Sequence, residues 1–225
     1  MRATKLMRLS TICFSPGSPS VGAQVQKAAG HNLVPVTLEL GGKNPVMVSP
    51  HADITRAATR IATSRMINGG QVCTCPDDVF VPDKHIDAFV DVARETLRGM
   101  FPTIVSNDDY CSCVNDANFD RVLGLTEDAR ANGATVEVVA PAGESLPDRE
   151  TRKIAPTIVL DIDEHMKIAN EEKFDPVLAV RPYSVLTDVI DHLNQRAAPL
   201  VAYWYGPEND EFRRFVRSTC SGMGA

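Results

Sequence analysis

The chain alternates short apolar runs with longer stretches whose apolar residues recur at helical spacing. Residues 36–40 and 45–48 are apolar and rich in β-branched side chains, as strands are. Beyond them Ile54, Ala57, Ala58, Ile61 and Ala62 fall on one face of a helix, with Ser49 as its expected cap and Pro50 in its first turn. A strand at 79–81 precedes a second helix, opened at Pro82 and Asp83, with Ile86, Phe89, Val90, Ala93 and Leu97 on its apolar face. Phe119, Val122, Leu123, Leu125 and Ala129 mark a third helix, which Asn132-Gly133 should end. Strands follow at 135–139, 157–160, 177–180 and 200–205, with helices at 185–196 and 208–216 and a polar loop at 140–152. This alternation predicts an α/β protein: a parallel-rich sheet covered by helices.

Composition fits that picture. The chain has 225 residues, 44% hydrophobic and 23% charged, enough to bury a core as one domain or one and a half. A net charge of −6 without a dense basic patch argues against a nucleic-acid surface. No apolar run approaches the roughly 20 residues of a membrane helix. Six cysteines in a chain this long point to reduced thiols, hence to the cytoplasm, rather than to a disulfide framework. The first 38 residues carry Arg2, Lys5, Arg8 and Lys27 but no Asp or Glu, faintly like a transit peptide; no targeting is assigned. The change to mixed charge near Gly41-Gly42 sets an expected domain boundary, 1–42 and 43–225.

Cysteine carries the candidate chemistry. Cys73 ends the run Asn68-Gly69-Gly70-Gln71-Val72-Cys73 and lies 34 residues after Glu39. A thiolate is a strong nucleophile toward a carbonyl, a carboxylate activates a thiol or a water, and glycines let backbone N–H groups approach a reacting oxygen. Taken singly, Cys73 is equally an inert buried thiol and Glu39 a strand-end carboxylate facing solvent. The pairs Cys73/Cys75 and Cys111/Cys113 have one residue between cysteines, where structural zinc sites have two to four, so no metal ligand is assigned. The five histidines are scattered and read as surface or loop residues.

Three segments in order bear a resemblance. Pro35-Val36-Thr37-Leu38-Glu39-Leu40-Gly41-Gly42-Lys43-Asn44-Pro45 resembles the glutamate motif of the aldehyde dehydrogenase superfamily. Asn68-Gly69-Gly70-Gln71-Val72-Cys73, with Pro76-Asp77 after it, resembles that family's nucleophile motif. Glu171-Glu172-Lys173-Phe174-Asp175-Pro176 resembles its Glu-Glu-x-Phe-Gly-Pro segment, with Asp175 where the family has glycine. Pro199 to Tyr203 and the nearby Asn194-Gln195-Arg196 look most like the class 3 and coniferyl aldehyde dehydrogenase branch.

The resemblance implies an aldehyde dehydrogenase-like catalytic domain at 43–225, truncated at its C-terminal end, preceded at 1–42 by the C-terminal remnant of a Rossmann-type cofactor domain of which most is lacking. It implies NAD(P)-dependent oxidation of an aldehyde, in the coniferyl-like case an aromatic one, to a carboxylic acid, through a thiohemiacetal and a thioester. Cys73 is then the nucleophile and Glu39 the base, with the apolar strand around Glu39 expected to desolvate it. Gly17 and Ser18, in a Ser/Pro/Gly segment that opens a helix, would approach the NAD or NADP pyrophosphate, and Glu172 and Phe174 would hold the nicotinamide ribose and ring. Pro16 and Pro19 each lack an N–H donor and would weaken that cradle. Asp175 would add negative charge beside the cofactor. The implied partner is a small aldehyde, with no nucleic acid and no membrane; open apolar sheet edges favour a homo-oligomer. Two other readings stand: a catalytically impaired, truncated family member, either a non-enzymatic remnant or an interaction protein, and a cofactor-free cysteine esterase.

Overall fold

The computed structural model describes residues 12–224; Arg2, Lys5, Arg8 and Ala225 lie outside them. The chain divides into two compact units, Met1–Gly42 and Lys43–Ala225.

The first unit is a β-α-β element. Strands β1 (Cys13–Gly17) and β2 (Val36–Leu40) pair in parallel, and helix α1 (Pro19–Gly30) connects them. Ser18 caps α1, its hydroxyl accepting from Val21 N at 3.4 Å, and Pro19 takes a first-turn position where its missing N–H costs nothing. The helix therefore tolerates Pro19, which still offers no N–H at its start. Val25, Ala28 and Ala29 pack on Val34, Val36 and Leu38. Gly22 allows this approach: a Cβ there would lie 2.8 Å from Leu40 Cδ2.

The second unit holds a seven-stranded sheet in the order β5-β6-β7-β4-β3-β8-β9. Its strands are β3 (Pro45–Val48), β4 (Asp78–Pro82), β5 (Thr135–Val138), β6 (Thr157–Leu160), β7 (Val177–Tyr183), β8 (Val201–Tyr205) and β9 (Met223–Gly224). Only the β5–β6 pairing is antiparallel. Val46, Val48, Val79 and Val81 face helices α2 (Ile54–Arg65) and α3 (Ile86–Met100), whose Ala58, Ile61, Phe89, Ala93 and Leu97 close one core. Met47 and Phe80 point the other way, as the period of two requires, toward α6 (Leu186–Asn194) and α7 (Asp210–Ser218). Helix α4 (Asp116–Ala131) and the short α5 (Lys167–Asn170) pack with Val159 and Val177 in a third cluster. Strands β3 and β4 are buried along their whole length, which is why they read as continuous apolar runs.

Two boundaries differ from the sequence pattern. Helix α2 starts after Asp53, whose carboxylate accepts from Arg56 N at 3.0 Å; Ser49 instead opens a turn, its carbonyl accepting from Ala52 N. Strand β1 was not evident as a strand, because two prolines and a glycine crowd the run Phe14-Ser15-Pro16-Gly17-Ser18-Pro19.

Candidate active site

The loop that carries Cys73 links α2 to β4. After Arg65 the backbone turns through Asn68 (φ 50°), Gly69 (φ 62°) and Gly70 (φ 83°), three successive left-handed residues. Glycine and asparagine occupy that region at least cost. Gly70 is also the only residue type that fits, since a Cβ would lie 2.5 Å from the Asp175 carbonyl oxygen. Gln71 ties the loop to a neighbouring segment: its Nε2 donates to Ser112 O at 2.9 Å and its Oε1 accepts from Val114 N at 2.8 Å. Cys73 emerges from this turn exposed.

Its neighbour Cys75 points inward, with its thiol directed at Ser64 O at 3.7 Å; burial pushes that thiol up, against the pull of the Arg65 charge. Among the described residues no group of three or more His, Cys, Asp and Glu is arranged to hold a metal.

Buried charge fixes the foot of the loop. Lys173 Nζ donates to Asp77 Oδ1 and Asp78 Oδ1, both at 2.5 Å, and Lys43 Nζ donates to Asp77 Oδ1 at 2.9 Å. Burial pulls Lys173 down to about 8, partly offset by the two aspartates. Asp78 lies well below the usual carboxylate range: its burial is outweighed by Lys173, Lys43 and Arg181. This network joins all three quoted motifs' neighbours, since Lys43 follows Gly42, Asp77 follows Pro76, and Lys173 follows Glu172.

Asp175 departs from expectation. The left-handed residue in its segment is Phe174 (φ 49°), and Asp175 itself is buried. Its carboxylate accepts from Cys113 Sγ at 3.0 Å and Asn118 Nδ2 at 2.6 Å, so it adds no exposed charge. Burial pushes its carboxyl up to about 6, against the hydrogen bond from Cys113 and the charges of Arg65 and Arg121. The same contact and burial push Cys113 up.

The other candidate residues sit as follows. Glu172 and Phe174 are half-buried, and Arg121 braces their backbone by donating to Glu172 O and Lys173 O. In the first unit Glu39 is exposed on β2, on the face it shares with Thr37. The strand therefore does not bury Glu39, because the alternation that turns Val36, Leu38 and Leu40 inward turns Glu39 out. Gly17 ends β1 and Ser18 caps α1, whose first turn is built from small residues around a helix N-terminus.

Sequence reasoning missed the residues that hold the loop, chiefly Asn44, Arg65, Lys173 and Tyr203. Arg65 carried a legible signal: it continues the buried stripe of Ala58, Ile61 and Ala62, and an arginine on an apolar stripe needs buried acceptors.

Comparisons with known proteins bear on this arrangement. The family model described as "Aldehyde dehydrogenase family" matches residues 4–224. A probable coniferyl aldehyde dehydrogenase of Caulobacter vibrioides is 45% identical over 206 residues, which are 92% of this chain and 42% of the relative. The coniferyl aldehyde dehydrogenase of a Pseudomonas species is 40% identical over 92% of this chain and 43% of its own length. The substrate-bound structure of Staphylococcus aureus AldH superposes with a TM-score of 0.88 at 32% identity, covering 99% of this chain and 47% of that one. The chain thus spans less than half the length of the relatives it matches, and, with the family model matching residues 4–224, it belongs to the aldehyde dehydrogenase family.

Proposed function

We propose that this chain carries the thiol half of an aldehyde-oxidising site, with Cys73 as nucleophile and Glu39 as general base. The observation that carries the reading is the exposed cysteine on a left-handed Asn-Gly-Gly turn, within a family match that spans nearly the whole chain. The Cys73 thiolate adds to the aldehyde carbon, forming a C–S bond while the carbonyl oxygen takes the charge. Neither Cys73 N–H nor Thr74 N–H has a partner among the described residues, so both are available to that oxygen. A nicotinamide cofactor held by Gly17, Ser18, Glu172 and Phe174 would supply the hydride acceptor needed to oxidise the adduct to a thioester. Glu39 then takes a proton from the water that cleaves the C–S bond, releasing a carboxylic acid and the thiolate.

Small residues at the start of α1, with Gly17 and Ser18 leading it, suit the phosphates of NAD or NADP, and Glu172 and Phe174 suit its ribose and ring. The donor types fit such a dinucleotide. An aromatic aldehyde of the coniferyl kind is the substrate class, supported by the two coniferyl relatives. We place the protein in the cytoplasm as a homo-oligomer; no helix among the described residues is long and apolar enough to cross a membrane.

The test is coniferaldehyde-dependent formation of reduced NAD or NADP, with Cys73→Ser as control. A signal lost in the control supports the reading. Ester hydrolysis lost in the control without any nicotinamide reduction replaces it with the cofactor-free esterase, and no Cys73-dependent turnover of either kind overturns both.

A further inference from the structure

The backbone that follows the nucleophile is held in an unusual way. Four consecutive carbonyls, at 73–76, each accept a hydrogen bond from a side chain. Asn44 Nδ2 donates to Cys73 O at 2.8 Å and to Cys75 O at 3.0 Å. Tyr203 Oη donates to Thr74 O at 2.6 Å. Arg65 Nη1 donates to Pro76 O at 2.7 Å, while its Nε and Nη2 donate to Asp175 O at 2.9 and 2.5 Å.

The donors come from three places: the lead-in to β3, the middle of β8, and the end of α2. Asn44 and Arg65 are 1% and 2% exposed. The orientation of the Asn44 amide is fixed independently, because its Oδ1 accepts from Val201 N at 3.1 Å. That backbone donor leaves only the NH₂ end to face the loop.

A loop needs no such brace to reverse direction. The left-handed turn at 68–70 does that, and Gln71 anchors it. The brace acts on peptide orientation. A trans peptide points its C=O and N–H in opposite directions. With the Cys73 carbonyl turned down onto Asn44, the Thr74 N–H is turned away from it, and that N–H has no partner among the described residues. If the peptide were released, a carbonyl oxygen could rotate to the thiol's side. N–H dipoles favour a thiolate and carbonyl oxygens disfavour it.

We propose that Asn44, seconded by Tyr203, is a positioning residue for the nucleophile: it holds the 73–76 carbonyls inward so that Cys73 faces amide N–H groups. This deepens the reading of Cys73 as the attacking thiol and rests on it.

The experiment reads the thiol without aldehyde or nicotinamide. Each cysteine is alkylated with iodoacetamide across pH and quantified peptide by peptide, with exposed Cys111 and Cys220 as internal references. Asn44→Leu is of similar size, adds no charge and removes both donors; Tyr203→Phe removes one hydroxyl. The expected result for Asn44→Leu is a Cys73 profile moved about one unit to higher pH, with about tenfold slower alkylation near neutrality. Tyr203→Phe moves it in the same direction by about a third as much, on the central worth of a neutral hydrogen bond. Cys111 and Cys220 do not move.

An unmoved Cys73 profile in folded variants overturns the proposal, as does a shift shared by all three cysteines. If Asn44→Leu fails to fold, Tyr203→Phe decides alone. A shifted profile beside a negative coniferaldehyde assay upholds the brace and sinks the oxidation. An unmoved profile beside Cys73-dependent turnover does the reverse.

Discussion

The two units hold their candidate residues by opposite means. Around Cys73 the backbone is over-determined: buried Asn44, Arg65 and Lys173 satisfy carbonyls and carboxylates from three segments. Around Glu39 a two-stranded sheet and one helix share a small cluster, and the carboxylate stands on the open face of β2. The family match covers both without distinction. Matching residues thus tells which groups are present, and the packing tells which are fixed in place. The thiol side is built for a constant geometry; the carboxylate side owes its position to a strand register alone.

The largest test of that contrast is chemical. Glu39→Gln should lower aldehyde turnover by about 100- to 10,000-fold, as loss of a general base does, while leaving Cys73 alkylation at its native rate. Steady-state kinetics and thiol labelling on the same preparation check this. If labelling of Cys73 also collapses, the two residues are not independently held and the comparison fails.

Next comes the foot of the loop. Lys173→Met would leave buried Asp77 and Asp78 with Lys43, Arg65 and Arg181 as their remaining cations, and breaking such a buried network costs about 3–5 kcal/mol. Urea denaturation followed by tryptophan fluorescence reports it, because Trp204, the chain's one tryptophan, lies in β8 of the second unit. A loss below about 1 kcal/mol, the scale of an exposed pair, would mean the network contributes little to rigidity.

Much of this was legible in the sequence, for a physical reason. The sheet strands announce themselves because burial on both faces leaves only apolar residues, as at Val46, Met47 and Val48. Cys73 was singled out by the resemblance of its segment to the family's nucleophile motif, since alone it read equally as an inert buried thiol; the fold leaves it exposed. What could not be read was the partner of each buried polar side chain. Asp175 in place of glycine read as negative charge beside the cofactor, and only the fold brings Cys113 and Asn118 to it across about 60 residues of chain. Glu39 read as desolvated because its neighbours are apolar; strand alternation, correctly applied, puts it outward.

Asp175 offers a test in which pH is the variable. Its carboxyl titrates near 6 in the fold against an ordinary 3.8, so the native state holds the proton more tightly than the unfolded chain. The contribution to stability is present below the ordinary value and is lost as pH rises through about 6. At about 1.4 kcal/mol per unit the upper bound is roughly 3 kcal/mol. Asp175→Asn should remove that dependence, so its stability relative to the native chain should improve between pH 4 and pH 7. A difference that stays flat with pH would mean that Asp175 keeps its charge in the fold.

The smallest effect belongs to the first unit. Ser18 caps α1, and its hydroxyl engages Val21 N at a long 3.4 Å. Ser18→Ala should therefore cost about 0.5–1 kcal/mol, the lower part of the range for a lost cap. Because Ser18 belongs to the first unit and Cys73 and Trp204 to the second, the Trp204 unfolding curve and Cys73 alkylation should stay as they are. Hydrogen exchange at residues 20–24 should quicken a few-fold, the kinetic face of that energy. If the same substitution slows Cys73 labelling, the two units are energetically joined, and the carboxylate side is held by more than its strand register.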